Sequence, residues 1–151
     1  LVLIMNSLNM LYLGDSGSYL LGFIFSVFLI SLYNWNLNLS PYFIILLLWY
    51  PCYETLFSII RKKIFNKPAM EPDSEHLHQL IFFLIKKKFN LKILSANILT
   101  ANIINIYNLL IFLLAAKFIY NSKAQGVLIL LNLIIYTVIY FKTLGYKNKI
   151  K

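Results

Sequence analysis

Three short stretches of this chain carry side chains capable of chemistry, and almost everything else is apolar. Gly14-Asp15-Ser16-Gly17-Ser18 sets a carboxylate between two glycines at the mouth of a long apolar run. Glu54 is an acid inside a second apolar run, three residues after Pro51. Glu71-Pro72-Asp73-Ser74-Glu75-His76-Leu77-His78-Gln79 holds both histidines of the chain and three carboxylates, flanked by basic residues. Carboxylate oxygens suit magnesium, and cationic donors neutralise phosphate, so the combination fits a phosphorylated ligand accompanied by a divalent cation. A helix starting at the pentapeptide, with Ser16 or Ser18 as its cap, would add unpaired N–H groups and the positive end of a dipole.

Other chemistries fit these letters less well. A nucleophile elbow needs glycine where Ser18 stands, and a chymotrypsin-type serine would be followed by Gly-Gly-Pro. An ordinary membrane-edge turn, with Asp15 solvated, is the plain alternative for the pentapeptide. His76 and His78 point about 200° apart on a helix, so they meet one ligand only where the backbone is irregular, and a zinc site is poorly supported. Their plain alternative is a solvated pair at a helix start. Glu54 needs a partner or a wet cavity at its depth, which makes it a functional candidate; a snorkelling or lysine-paired structural acid is the alternative. Cys52, the only cysteine, offers no disulfide or thiolate site and reads as packing.

The elements that must position these residues are membrane helices. With 60% hydrophobic residues, 13% charged and a mean hydropathy of +0.74, the chain lies outside the range of soluble domains. The expected fold is all-α: a polytopic transmembrane bundle of about four complete spans, a truncated span at Leu1 to Met5, and one interfacial cytoplasmic helix. Complete spans are expected at about Gly17 to Tyr33, Pro41 to Ile60, Ile98 to Phe118 and Gly126 to Phe141, each close to the length a bilayer needs. Residues 1–151 read as a single membrane domain, with 61–95 a basic cytoplasmic loop inside it. The opening in mid-span, without a signal peptide, suggests part of a longer protein.

A formal net charge of +9 could suggest nucleic acid, but its placement argues against that partner. Eight of the fourteen basic residues lie between Arg61 and Lys92, and four from Lys142 onward. That distribution reads as topology and as contact with anionic lipid. If the loop from Arg61 is cytoplasmic, parity puts the C-terminus and Asp15 on the same side. Within the loop Asp73 is the expected N-cap, and Leu77, Leu80, Ile81, Leu84 and Ile85 recur at helical spacing. An interfacial helix of about four turns is expected there.

Leu13-Gly14-Asp15-Ser16-Gly17-Ser18 with Leu21-Gly22-Phe23, then Pro51 with an acid three residues later, then Pro72-Asp73 followed by His76-Leu77-His78, resemble in order and spacing the polyprenyl-phosphate N-acetylhexosamine-1-phosphate transferases, the WecA and MraY superfamily. The resemblance implies the C-terminal portion of a multi-pass enzyme. Such an enzyme moves a sugar 1-phosphate from a UDP-sugar to a membrane polyprenyl phosphate, releases UMP, and uses Mg²⁺ at the cytoplasmic face of the cell membrane. It implies that Asp15 binds the metal and that His76 and His78 act on the phosphates, with Asp73, Gly14, Ser16 and Ser18 on the substrate side. The Asp73 form of the histidine loop resembles the N-acetylglucosamine branch. Gln79 stands where the family usually has another histidine, Ser74 where a basic residue is common, and Glu54 in place of aspartate. The family's upstream aspartate pair is absent, so this polypeptide alone is expected to be inactive. Expected partners are UDP-sugar, polyprenyl phosphate and anionic lipid, with a homodimer left open. The competing reading is a noncatalytic interaction or lipid-binding bundle on the same scaffold; a channel or transporter has only Glu54 in its favour.

Overall fold

The computed structural model describes residues 5, 10, 14–66, 68 and 75–150; the side chains of Asp15 and Ile150 fall outside that set. So do Asp73 and most of the truncated span expected at Leu1 to Met5. Among the described residues from 14 onward there are six helices: α1 Gly14–Trp35, α2 Pro41–Leu47, α3 Trp49–Ile64, α4 Leu77–Lys88, α5 Ile93–Lys117 and α6 Ser122–Ile150. Among the described residues there is no strand. The protein is an all-α polytopic membrane bundle.

Three helices are long and apolar enough to cross a bilayer, over Ser16–Trp35, Ile93–Lys117 and Ser122–Lys149. The second expected span is not straight: α2 and α3 meet at Leu48 with a 75° bend. Pro51 supplies the reason, since it has no N–H to give to the Leu47 carbonyl and its ring crowds that same carbonyl. Hydrogen bonding resumes one residue later, where Cys52 N–H donates to the Leu48 carbonyl at 3.2 Å. Cys52 itself is exposed on α3, not packed as its apolar setting suggested. The first and last spans run past both of their expected ends, and the third starts five residues early but stops at Lys117, one short of Phe118, because polar residues beyond an apolar run continue a helix where no breaker meets them.

The two ends of the bundle are tied separately. At one end Ser40 N–H donates to the Ile119 carbonyl at 3.1 Å, joining the turn before α2 to the turn between α5 and α6. At the other, Arg61 in the last turn of α3 reaches Tyr140 of α6. This pairing of ends is the one parity requires of alternating spans. The basic segment 61–95 is more helical than a loop, since α3 runs through Ile64 and α4 and the start of α5 lie within it. Asn66 and Asn90 take positive φ, 52° and 48°, just after α3 and α4. Asparagine tolerates that left-handed conformation, and the Leu91 N–H closes the end of α4 on the Lys86 carbonyl at 3.2 Å.

The core gathers Phe43 and Leu46 of α2, Trp49 of α3, Leu77 and Leu80 of α4, and Tyr136 and Tyr140 of α6. Lipid tails are as apolar as leucine, so close packing and interhelical hydrogen bonds must hold this core. Tyr107 O–H donates to Asn132 Oδ1 between α5 and α6, and Gln125 Nε2 donates to the Ala115 and Phe118 carbonyls at 2.7 and 2.9 Å, covering the open end of α5. By contrast α1 is almost bare, with 6% of its spanning window buried and Tyr19, Phe23 and Phe28 exposed. A helix apolar on every side and so little covered belongs in hydrocarbon.

Candidate functional site

Glu54 and Arg61 lie seven residues apart, which on a helix brings them back to nearly the same face of α3. Tyr136 and Tyr140, four apart, share one face of α6. These two faces meet. Glu54 Oε2 accepts from the Tyr136 hydroxyl at 2.7 Å, and the Arg61 guanidinium donates to the Tyr140 hydroxyl while lying 5.5 Å over its ring. Phe57, between the two charged residues in sequence, sets its ring edge-on against both tyrosines at 5.4 and 4.7 Å. Glu54, Arg61, Tyr136 and Tyr140 are all buried.

The histidine loop is fixed to this ladder residue by residue. Arg61 Nη1 donates to the Glu75 carbonyl at 2.7 Å and lies 3.4 Å from its carboxylate. Leu77 N–H donates to Glu54 Oε1 at 2.9 Å, and His76 Nδ1 lies 3.0 Å from that oxygen. His76 N–H is held by Gln79 Oε1 at 3.3 Å. Thus the backbone on either side of His76 is bound to a charged residue of α3, and its ring and its own N–H are bound as well. Glu54 is neither snorkelling nor lysine-paired, which were its plain alternatives; it pairs with the histidine loop and with Tyr136. An acid in an apolar helix is tolerable on those terms, because three donors satisfy its two oxygens.

His76 is also the N-cap of α4, with φ −66° and ψ 147°. The cap therefore falls at His76, not at Asp73, and the helix has 12 residues, a little over three turns where four were expected. Capping by Glu54 from another helix explains the late start, since the Leu77 N–H finds its acceptor in tertiary space. An extended His76 is the irregularity that the i, i+2 spacing required. The rings of His76 and His78 stack 5.6 Å apart with planes 11° from parallel. Burial pushes the His78 imidazole below its usual pKa of 6.5, with Glu54 opposing that shift and His76 adding to it. His78, Gln79, Phe82, Asn97 and Thr100 line a groove of about 320 Å³ between α4 and α5. Leu77, Leu80 and Ile85 turn the apolar face of α4 inward onto the bundle instead of onto lipid.

The pentapeptide is arranged differently from its sequence reading. It is helical from Gly14, whose φ of +62° is a conformation that glycine adopts without strain. Ser16 and Ser18 therefore lie inside the first turns of α1, and among the described residues neither caps its start; the Ser18 hydroxyl donates back to the Gly14 carbonyl at 2.8 Å. Among the described residues neither Gly14, Ser16 nor Ser18 is bonded to the Glu54–His76 group. No group of three His, Cys, Asp or Glu able to hold a metal occurs among the described residues. Both Glu54 oxygens accept hydrogen bonds, Oε1 from the Leu77 N–H and Oε2 from the Tyr136 hydroxyl. Arg61, Tyr136 and Tyr140 were missed from the sequence. Their only signal there was spacing: seven residues from Glu54 to Arg61, and two tyrosines four apart near the basic end of a span.

Comparison with known proteins gives two relatives. Over 95 residues, 63% of this chain, it is 32% identical to an undecaprenyl-phosphate alpha-N-acetylglucosaminyl 1-phosphate transferase of Thermotoga maritima, covering 31% of that protein. Over 69 residues, 45% of this chain, it is 35% identical to a probable undecaprenyl-phosphate N-acetylglucosaminyl 1-phosphate transferase of Bacillus subtilis, covering 19% of it. The chain thus spans less than a third of the length of either relative. No protein-family model and no solved structure matches it.

Proposed function

We propose, from a chain related by sequence to the polyprenyl-phosphate N-acetylglucosaminyl 1-phosphate transferases, that it is the part of such an enzyme that handles phosphate at the membrane surface. The reaction is transfer of N-acetylhexosamine 1-phosphate from a UDP-sugar to a polyprenyl phosphate, with release of UMP, in cell-envelope glycan synthesis such as cell-wall or lipopolysaccharide assembly. The active face is cytoplasmic, on the side of the basic segment. The observation that carries the reading is the His76 loop, fixed by Glu54, Arg61 and Gln79 at the basic end of the bundle. Bringing two polyanions together demands charge neutralisation and positioning more than covalent chemistry, and an immobilised imidazole pair beside a lysine-rich surface supplies both. Gln79 supports the same reading, because its side chain caps His76 and so has a use in the site.

Magnesium enters the proposal through Asp15 alone. When bound, the metal would neutralise phosphate charge as a Lewis acid. The Asp15 side chain lies outside the described residues, and no step is routed through the metal. The test is release of UMP by the full-length parent in membranes supplied with UDP-N-acetylglucosamine, undecaprenyl phosphate and Mg²⁺. Asp15→Asn should lower turnover by orders of magnitude and weaken its dependence on Mg²⁺. His76→Ala should lower turnover with the protein still inserted. Near-normal turnover and Mg²⁺ dependence in Asp15→Asn would return Asp15 to the role of a solvated turn residue. Absence of UMP release by the wild-type parent would favour the noncatalytic bundle.

A further inference from the structure

We infer that Glu54 is a positioning residue that fixes His76 in its Nδ1–H tautomer and leaves Nε2 as the unprotonated ring nitrogen presented to ligand. The inference rests on the reading of His76 as a phosphate-handling residue, and it assigns the intramembrane acid a role in that site. An ionised carboxylate only accepts hydrogen bonds, so an imidazole nitrogen 3.0 Å from Glu54 Oε1 must carry the proton. Free histidine favours the other tautomer, with the proton on Nε2. The carboxylate therefore has a definite chemical effect beyond holding the loop in place. A ring whose Nδ1 proton is held by an acid can take a second proton at Nε2, and the carboxylate then faces the resulting cation.

Geometry makes the orientation strict. The same Oε1 holds the Leu77 N–H at 2.9 Å, so the carboxylate cannot swing away from His76 without uncapping α4. Oε2 is held by the Tyr136 hydroxyl at 2.7 Å, which fixes the carboxylate plane from the side of α6. Arg61 binds the Glu75 carbonyl, so the loop cannot slide along α3. The His76 ring stays partly open, its side chain 29% exposed against 12% for Glu54. One end of the ring is thus committed to the protein while the residue remains reachable.

The chain has two histidines, so uniform ¹⁵N-histidine labelling of the full chain in detergent micelles gives only two ring spin systems, assigned with His78→Gln. The wild-type spectrum, taken above the titration of both rings, should show His76 with a protonated Nδ1 and a bare Nε2. Glu54→Ala should lose that pattern and move His76 to the Nε2–H form. Glu54→Gln, whose amide oxygen can still accept from Nδ1 and Leu77, should restore it. Tyr136→Phe, which leaves Oε1 untouched, should keep the wild-type pattern. An Nε2–H form in the wild type, or an unchanged His76 in Glu54→Ala, overturns the inference. So does equal loss of the pattern in Tyr136→Phe, which would assign the effect to the fold in general. Should Glu54→Ala not fold, the wild-type and Glu54→Gln spectra decide the matter. No substrate is present in the measurement, so its outcome is separate from the success or failure of the transferase reading.

Discussion

Removing the Tyr136 hydroxyl is the cleanest perturbation of the buried ladder. Tyr136→Phe deletes one donor, the O–H given to Glu54 Oε2 at 2.7 Å, and keeps the ring that packs edge-on against Tyr53 and Phe57. In a water-soluble protein a hydrogen bond to a charged group contributes about 1.5–3 kcal/mol. Between membrane helices the average is nearer 0.6 kcal/mol, with a maximum of about 1.7, because the unpacked helices find other partners in the bilayer. The acceptor here is a buried carboxylate with few alternatives, so the expected loss is about 1–2 kcal/mol. Glu54→Ala is expected to cost about 3 kcal/mol, since it strands the Tyr136 hydroxyl and the Leu77 N–H at about 1–3 kcal/mol each, while His76 can turn to water. The double variant should cost less than the sum by about 1–2 kcal/mol, the coupling of the pair. Reversible unfolding in mixed micelles, followed by tryptophan fluorescence or helical circular dichroism, measures all three. A Tyr136→Phe loss below about 0.3 kcal/mol with no coupling would refute the argument that Tyr136 keeps Glu54 tolerable in the membrane.

The other expectations are simpler. Single cysteines at Asn36 and Asn66, in a Cys52-free background, should be labelled from opposite sides of the membrane; equal accessibility from outside would overturn the topology. Burial lowers the pKa of His78, so the unfolded chain binds more protons than the folded one as pH falls below about 6.5. Stability should therefore fall with acidification through that window, and His78→Gln should flatten that part of the pH profile in the same unfolding assay. Pro51→Ala restores an N–H to the Leu47 carbonyl and should reduce the 75° bend between α2 and α3, read as a longer spin-label distance between positions 42 and 64. This polypeptide expressed alone is expected not to release UMP from UDP-N-acetylglucosamine; release by purified chain would show that the site is complete within it.

Much of the fold is local and so was present in the sequence. Apolar run length determined the spans, basic clustering determined which ends share a side, and the i, i+3, i+4 pattern marked the face that α4 buries. The second span was read as one straight helix despite Pro51, and only the folded chain showed the break at Leu48. Motif order alone carried the resemblance to the transferases, since three ordered motifs survive whatever the helices do in space. The site was different, because the bonds that join the histidine loop to α3 and α6 link residues far apart in sequence. Glu54 and His76 are 22 residues apart, and Glu54 and Tyr136 are 82. No periodicity within one helix reports such a contact. For the same reason the cap of α4 was misplaced at Asp73: a sequence shows acceptors near a helix start, whereas the Leu77 N–H is met by a carboxylate from another helix. The serines of the pentapeptide were misread in the opposite direction. Capping chemistry is local, but where α1 begins was decided by Gly14, whose positive φ puts the helix start ahead of both hydroxyls. The sequence by itself thus determined the class of protein and singled out the intramembrane acid and the histidine loop. Tertiary structure alone decided that the intramembrane acid and the histidine loop form one unit, because a carboxylate in a dry interior must find its donors wherever the fold brings them.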